Sequence, residues 1–184
     1  MDLKSNMEYY EYNNEIPLNT LKSWRDNILS TAKFEFSGWT GNPREPYRHW
    51  AYYPEFDGVY KEIFECLNES IKEDGFDLIP HSILLNSYNH GDSSWFHRDM
   101  ELKNNGWTIL LFLNDYWDIN WHGHLIILDE DRTSILKAVL PIPGRYVLFK
   151  NHQLHSASPV SREAQFPRLT LAIQCINSSK TLIQ

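Results

Sequence analysis

The sequence predicts a mainly β protein with flanking helices, a sandwich or jelly roll. Short apolar, β-prone runs recur across residues 82–176, separated by turn formers. Clear helical periodicity is confined to the first eighty residues. At 184 residues, 42 % apolar and 14 % aromatic, the chain has the size and composition of one ordinary domain with an aromatic-rich core.

Taken in order, Pro17 to Leu29 carries apolar residues at helical spacing, with Asn19 as a candidate cap. Val59, Ile63, Leu67 and Ile71 form one stripe ended by Gly75, a second helix. Between them, residues 37–50 combine aromatics, Arg44, Arg48 and turn formers, a composition that suits a lid or a plain surface connection equally. Ser82 to Tyr88 is a strand running into a Gly91-Asp92 turn. Thr108 to Asn114 and Gly123 to Leu128 read as buried strands, and Pro143-Gly144 turns the chain into Tyr146 to Lys150. The last strand is Leu169 to Ile176, with Arg168 at its mouth.

The chemistry gathers around these strands. His97 and Asp99 stand two apart, so on extended backbone both side chains face one way. A bare pair of this kind arises by chance in about every second chain of this composition. Its position just after a strand and a Gly-Asp turn gives it weight against a surface ion pair. His155 supplies a second imidazole. Two imidazoles and one carboxylate on one face of a metal leave positions open for a co-substrate and O₂, the ligand set of a non-haem Fe(II) oxygenase. His152 competes with His155, and His122 and His124, placed at a strand start, form the His-x-His alternative of a cupin. Arg168 is a cation heading an apolar strand, suited to two-point binding of a carboxylate. Thr170 shares its face. The rival role is a rim salt bridge worth about 0–1 kcal/mol.

Tyr88, Gly91, His97 and Asp99 together resemble the 2-oxoglutarate- and Fe(II)-dependent dioxygenases, in their small prolyl 4-hydroxylase-like branch. That pattern runs Tyr, two residues, Gly, five residues, His, one residue, Asp. Leu113-Asn114, Trp117 and Gly123-His124-Leu125 are similar to the motifs that follow, with His124 replacing a second glycine. His155 precedes Pro159-Val160 at the family's spacing, and Arg168 sits where a basic residue binds the distal carboxylate of 2-oxoglutarate. The resemblance covers about residues 82–176. It implies a double-stranded β-helix (jelly-roll) catalytic core there, with residues 1–80 as helical and strand scaffold packed on the outer sheet, within one 1–184 domain. It also implies Fe(II) on His97, Asp99 and His155. 2-Oxoglutarate is expected on Arg168 with Tyr88, Thr170 or Asn86, and O₂ as oxidant. Two departures stand out: Ser94 occupies a position that is often a co-substrate Tyr, and Ile173-Gln174-Cys175 replaces a stretch that often carries Trp. Asp99, a full carboxylate, points to hydroxylation rather than halogenation.

The implied activity is hydroxylation of an unactivated C–H bond with decarboxylation of 2-oxoglutarate to succinate and CO₂. A small molecule (amino acid, sugar or natural-product intermediate) is the leading substrate class. A peptidyl prolyl or other protein side chain is the alternative, and a non-catalytic jelly-roll binding module is a second. Trp95, Arg98, Trp121, Arg44 and Arg48 are candidates to shape the mouth. Net charge of −7 without a Lys/Arg cluster weighs against nucleic acid. Cys66 and Cys175 make no metal or redox spacing and are expected to be buried free thiols. No apolar signal region or membrane span is visible, so a cytoplasmic protein is expected.

Overall fold

The computed structural model describes residues 9–37, 48–99 and 106–178. Its elements run β1 (Tyr9–Tyr12), α1 (Leu18–Thr31), β2 (Glu35–Ser37), β3 (His49–Tyr52), α2 (Gly58–Glu73), β4 (Leu78–Tyr88) and β5 (Gly106–Phe112). After a 3₁₀ turn at Ile119–Trp121 come β6 (Leu125–Leu128), β7 (Ile135–Val139), β8 (Tyr146–Lys150), β9 (His155–Ala157) and β10 (Arg168–Asn177). Seven strands form one antiparallel sheet in the order β1-β8-β5-β10-β4-β3-β2; a smaller sheet, β7-β6-β9, faces it. This is the jelly roll the sequence predicts.

Two apolar layers hold it together. Leu21, Trp24 and Ile28 of α1 and Ile63, Leu67 and Ile71 of α2 pack against Leu85, Ile109, Leu111, Leu171 and Ile173 on the outer face of the large sheet. Each fully buried aliphatic side chain of this kind contributes about 1.5–3 kcal/mol. The inner face presents Leu110, Phe112, Val147 and Phe149 to Leu125 and Ile127 of the small sheet. Strand β5, at the centre, is therefore buried throughout: odd positions meet the helices and even positions look between the sheets.

Several expectations need correcting. Pro17, not Asn19, caps α1; Asn19 lies inside the first turn, where its Oδ1 accepts from Thr20 N at 2.9 Å. A proline there starts the helix because the first turn has no intrahelical use for its N–H. Cys66 is exposed, whereas Cys175 is buried. The stripe of α2 at 63, 67 and 71 faces the sheet, and residue 66 falls off that face. The strand expected from Gly123 starts at Leu125, because His122 and Gly123 both take positive φ (57° and 70°). Strands β1, β2, β3, β7 and β9 are too short or too mixed in pattern to stand out in the sequence. Among the described residues, no helix is long and apolar enough to cross a membrane.

Candidate active site

The chain leaving β4 turns at Gly91, whose φ of +77° an L side chain rarely adopts, and folds back beside β9. Ser94 N donates to Ala157 O, and His97 and His155 exchange both backbone hydrogen bonds at 2.9 Å. Asp99 N then donates to Asn151 O at 2.9 Å. Residues 93–99 thus act as a further partner of the small sheet, and it is backbone pairing that sets His97 against His155.

Side-chain bonds finish the alignment. His97 Nδ1 lies 2.7 Å from Trp95 O and His155 Nδ1 lies 2.9 Å from Gln153 O. A carbonyl accepts only from N–H, so each ring carries its proton on Nδ1 and turns the Nε2 lone pair inward. The two Nε2 atoms stand 3.8 Å and 3.7 Å from Asp99 Oδ1. The Thr108 hydroxyl donates to Asp99 Oδ2 and sits 2.8 Å from the Asn151 side-chain amide.

Ligand atoms from all three residues lie within 4.8 Å of one another. Bonds of about 2.1 Å at right angles would need separations of about 3 Å, so the two carboxylate–imidazole distances must each close by about 0.7–0.8 Å and the imidazoles must also draw together, shifts that side-chain torsions can supply. Burial and the neighbouring His155 ring hold the His97 imidazole well below its usual range, at about 4. It is therefore neutral at physiological pH, the state in which an imidazole binds a metal. The donor set fits an Fe(II) ion.

Beside the triad lies a cavity of about 550 Å³, within the range of small-molecule sites. Arg168, Tyr88, Thr170 and Asn86 line one end of it, as cross-strand partners of β10 and β4. Arg168 is only 1 % exposed. Its guanidinium stands 5.1 Å from the Tyr88 and Phe112 ring centroids, yet Nε and Nη2 have no hydrogen-bond partner, nor does Thr170 Oγ1. Among the described residues no carboxylate pairs with it, and burial lowers its pKa to about 10. A Cβ on Gly123 would come within 3.0 Å of Arg168 Cδ, so glycine is required there for the close approach. Buried unpaired donors on a cation describe a binding site for an anion.

His49 was not singled out from the sequence. It is buried on β3, lines the cavity and stacks on Tyr88 with ring centroids 4.9 Å apart. The readable signal was period two: His49 and Ala51 are buried on one face, whereas Trp50 is exposed and Tyr52 is half-buried on the other. Burial lowers the His49 pKa to about 4 from an ordinary 6.5. Between those values the unfolded chain binds the proton and the folded chain does not, so stability falls as pH drops through that window. Lowering the pH of metal-free protein from 7.5 to 5 should cost about 2 kcal/mol through His49 and a similar amount through His97. Urea midpoints at the two pH values should show His49→Phe losing about half of the acid sensitivity of the parent. An unchanged difference would mean that His49 is not buried neutral.

The remaining candidates scatter. Arg98 lines the cavity, but its guanidinium grips Glu130 (Nη2 to Oε2, 2.7 Å) and donates to His152 O. Trp95 is 49 % exposed, and Arg48 is exposed, pairing through its backbone with Ser93; neither lines the cavity. Trp121 packs edge-on against Trp117 in a buried cluster rather than at the mouth. Arg44 and most of the 37–50 segment lie outside the described residues. His122 and His124 have ring centroids 6.2 Å apart and are not part of the ligand cluster. Ser94 is buried: it supports Tyr88 by a hydrogen bond and accepts from Ala157 N at 2.7 Å, so it braces the site without lining it with a phenol.

Comparison with known proteins agrees with this geometry. The family model for the 2OG-Fe(II) oxygenase superfamily matches residues 83–173, a span that holds the triad and Arg168. A Pseudomonas putida prolyl-4-hydroxylase superposes with a TM-score of 0.69 at 17 % identity, covering 94 % of each chain. A Trichoplax adhaerens prolyl hydroxylase, solved with a hypoxia inducible factor peptide fragment, gives 0.69 at 15 %, covering 92 % of this chain and 83 % of its own. HygX of Streptomyces hygroscopicus, solved with nickel and 2-oxoglutarate, gives 0.68 at 12 %, covering 94 % and 84 %. No curated protein matches in sequence. The superpositions show the fold. The family match, over the strands that carry the ligand cluster, is what places the chain in the 2OG-Fe(II) oxygenase superfamily, as a 2-oxoglutarate-dependent dioxygenase.

Proposed function

We propose that this enzyme hydroxylates an unactivated C–H bond of a small molecule, with His97, Asp99 and His155 holding the iron and Arg168 holding 2-oxoglutarate. The observation that carries the reading is the pairing of the triad with a fully buried, unpaired guanidinium in one cavity. Iron with bound 2-oxoglutarate supplies oxidising power through decarboxylation to succinate and CO₂. The chain's residues do the rest. Arg168 takes the distal carboxylate, with Thr170 and Asn86 as further donors. Burial holds the Tyr88 phenol protonated, so it too acts as a donor. The Phe112 and Tyr88 rings exclude water from the charged contact, which strengthens it. Trp95 O and Gln153 O hold the histidine tautomers, and Thr108 holds Asp99.

A compact cavity of about 550 Å³ supports a small molecule over a peptide. The test is succinate formation with Fe(II), 2-oxoglutarate and O₂, comparing free metabolites with proline-containing peptides. Turnover stimulated only by the peptides would replace this substrate class with peptidyl hydroxylation, in line with the Trichoplax adhaerens prolyl hydroxylase solved with a peptide fragment. No succinate and no visible charge-transfer band after anaerobic reconstitution would remove the enzyme reading altogether.

The Thr108 hydroxyl is expected to matter for metal affinity. Partners of metal ligands are typically worth 10–100-fold in binding. Thr108→Val keeps the shape of a side chain that is 1 % exposed but frees Asp99 and strips the Asn151 amide of a partner. Its Fe(II) dissociation constant should rise by about 10–100-fold while the fold persists. An unchanged metal titration would show that backbone pairing alone positions Asp99.

A further inference from the structure

Gln174 and Ser82 are cross-strand partners on β10 and β4, and both line the cavity. They share the face that carries Arg168, Thr170 and Ala172 on one strand and Tyr88, Asn86 and Leu84 on the other. The Ser82 hydroxyl donates to Gln174 Oε1 at 2.9 Å. On its other side Gln174 is the register partner of Thr108, whose hydroxyl holds Asp99. Six residues of strand, about 20 Å, separate Gln174 from Arg168. The metal-binding carboxylate is therefore anchored at the Gln174 end of the sheet, and the buried guanidinium lies at the other.

The regular face stops at this pair. Cys175 pairs with Pro80 while Gln174 pairs with Ser82, so His81 is an extra residue in β4. Such bulges end regular pairing and re-aim side chains beside active sites. With its oxygen taken by Ser82, the Gln174 amide still carries two Nε2 hydrogens on the wall of the cavity.

We infer that Gln174 and Ser82 form the substrate-recognition subsite, and that it selects a neutral polar small molecule presenting a hydroxyl or amide oxygen to Gln174 Nε2. This rests on the proposed function, in which 2-oxoglutarate occupies the Arg168 end. The charges point the same way. Arg98 is neutralised by Glu130, Arg168 is engaged by the co-substrate, and the neighbouring wall is Ser82, Leu84, Ala172 and Gln174, all uncharged. Among the described lining residues, an anionic substrate would find Asp99 and no cation besides Arg98 and Arg168, both engaged. An apolar ring would leave the Gln174 Nε2 hydrogens without an acceptor, which is how a polar site rejects an apolar analogue.

The test uses full-length protein loaded with Ni(II), which cannot turn over, and 2-oxoglutarate. Thermal unfolding is followed against glucose, myo-inositol and N-acetyl amino-acid amides, with N-acetyl amino acids as anionic controls and proline-containing peptides as the less polar arm. Neutral polar probes should raise the midpoint, and half-saturation should move at least tenfold higher in Gln174→Leu and in Gln174→Glu, which keeps the shape but removes both donors. Ser82→Ala should give a smaller loss. Preference for the anionic or peptide probes, unchanged half-saturation in both Gln174 variants, or no shift with any neutral probe on fully loaded protein would overturn the inference while leaving the oxygenase reading intact. Failure to load Ni(II) and 2-oxoglutarate at all would overturn both.

Discussion

Asp99→Ala is expected to abolish Fe(II) binding and succinate formation together, with the fold intact. Loss of a mere supporting partner costs a metal site 10–100-fold, so loss of the one anionic ligand should exceed about 100-fold. His97, held neutral by burial, brings no charge to offset the cation. Their backbones are clasped to each other at 2.9 Å whatever residue 99 is, which is why the fold should survive. His155→Ala should behave in the same way, since its backbone bonds to His97 do not involve the ring. His152→Ala should leave iron bound: that side chain is exposed and only its carbonyl is used, by Arg98. The readout is the visible charge-transfer band on anaerobic addition of Fe(II) and 2-oxoglutarate. A band lost with His152→Ala and kept with His155→Ala would reverse the ligand assignment.

The candidate ligands were more legible in the sequence than the short strands around them. His97, Asp99, His155 and Arg168 were readable because strands mark themselves by apolar runs and turn residues, and fixed offsets from those strands then locate the polar side chains. The long central strands were legible for the same reason: β5, β8 and β10 are apolar on both faces or alternate strictly. Strand β9 was not, because three residues cannot show a period, and it forms only because β6 and the 93–99 segment flank it. His49 was hidden because its role depends on β3 pairing with β4 through Ala51 and Asn86, a contact between distant parts of the chain. Trp121 misled in the opposite direction: closeness in sequence to a candidate motif suggested the mouth, whereas the 3₁₀ turn rotates it into a cluster with Trp117 and Val160.

Arg168→Met should separate stability from function with opposite signs. Truncating a large buried side chain ordinarily costs 2–5 kcal/mol, and Arg168 heads the fully buried side chains of this protein. Yet its pKa is lowered by burial to about 10 from 12.5, and at 1 % exposure that shift corresponds to roughly 3 kcal/mol of unfavourable charge burial at neutral pH. Cation–π contact with Tyr88 and Phe112 returns about 1–2 kcal/mol of this. A flexible thioether fills most of the same space without charge. The metal- and co-substrate-free variant should therefore unfold at a temperature equal to or above that of the parent. Binding should collapse: two charge-assisted hydrogen bonds of about 1.5–3 kcal/mol each amount to at least a 10²-fold rise in the 2-oxoglutarate needed for half-saturation. The parent's unfolding temperature should climb with added 2-oxoglutarate by mass action, and the variant's should not. Iron binding, through His155 of the small sheet and His97 and Asp99 of the segment paired beside it, should be unaffected in both. A variant that loses several kcal/mol of apo stability, or that still responds to 2-oxoglutarate like the parent, would show the guanidinium to be a structural cation whose partner is already within the fold.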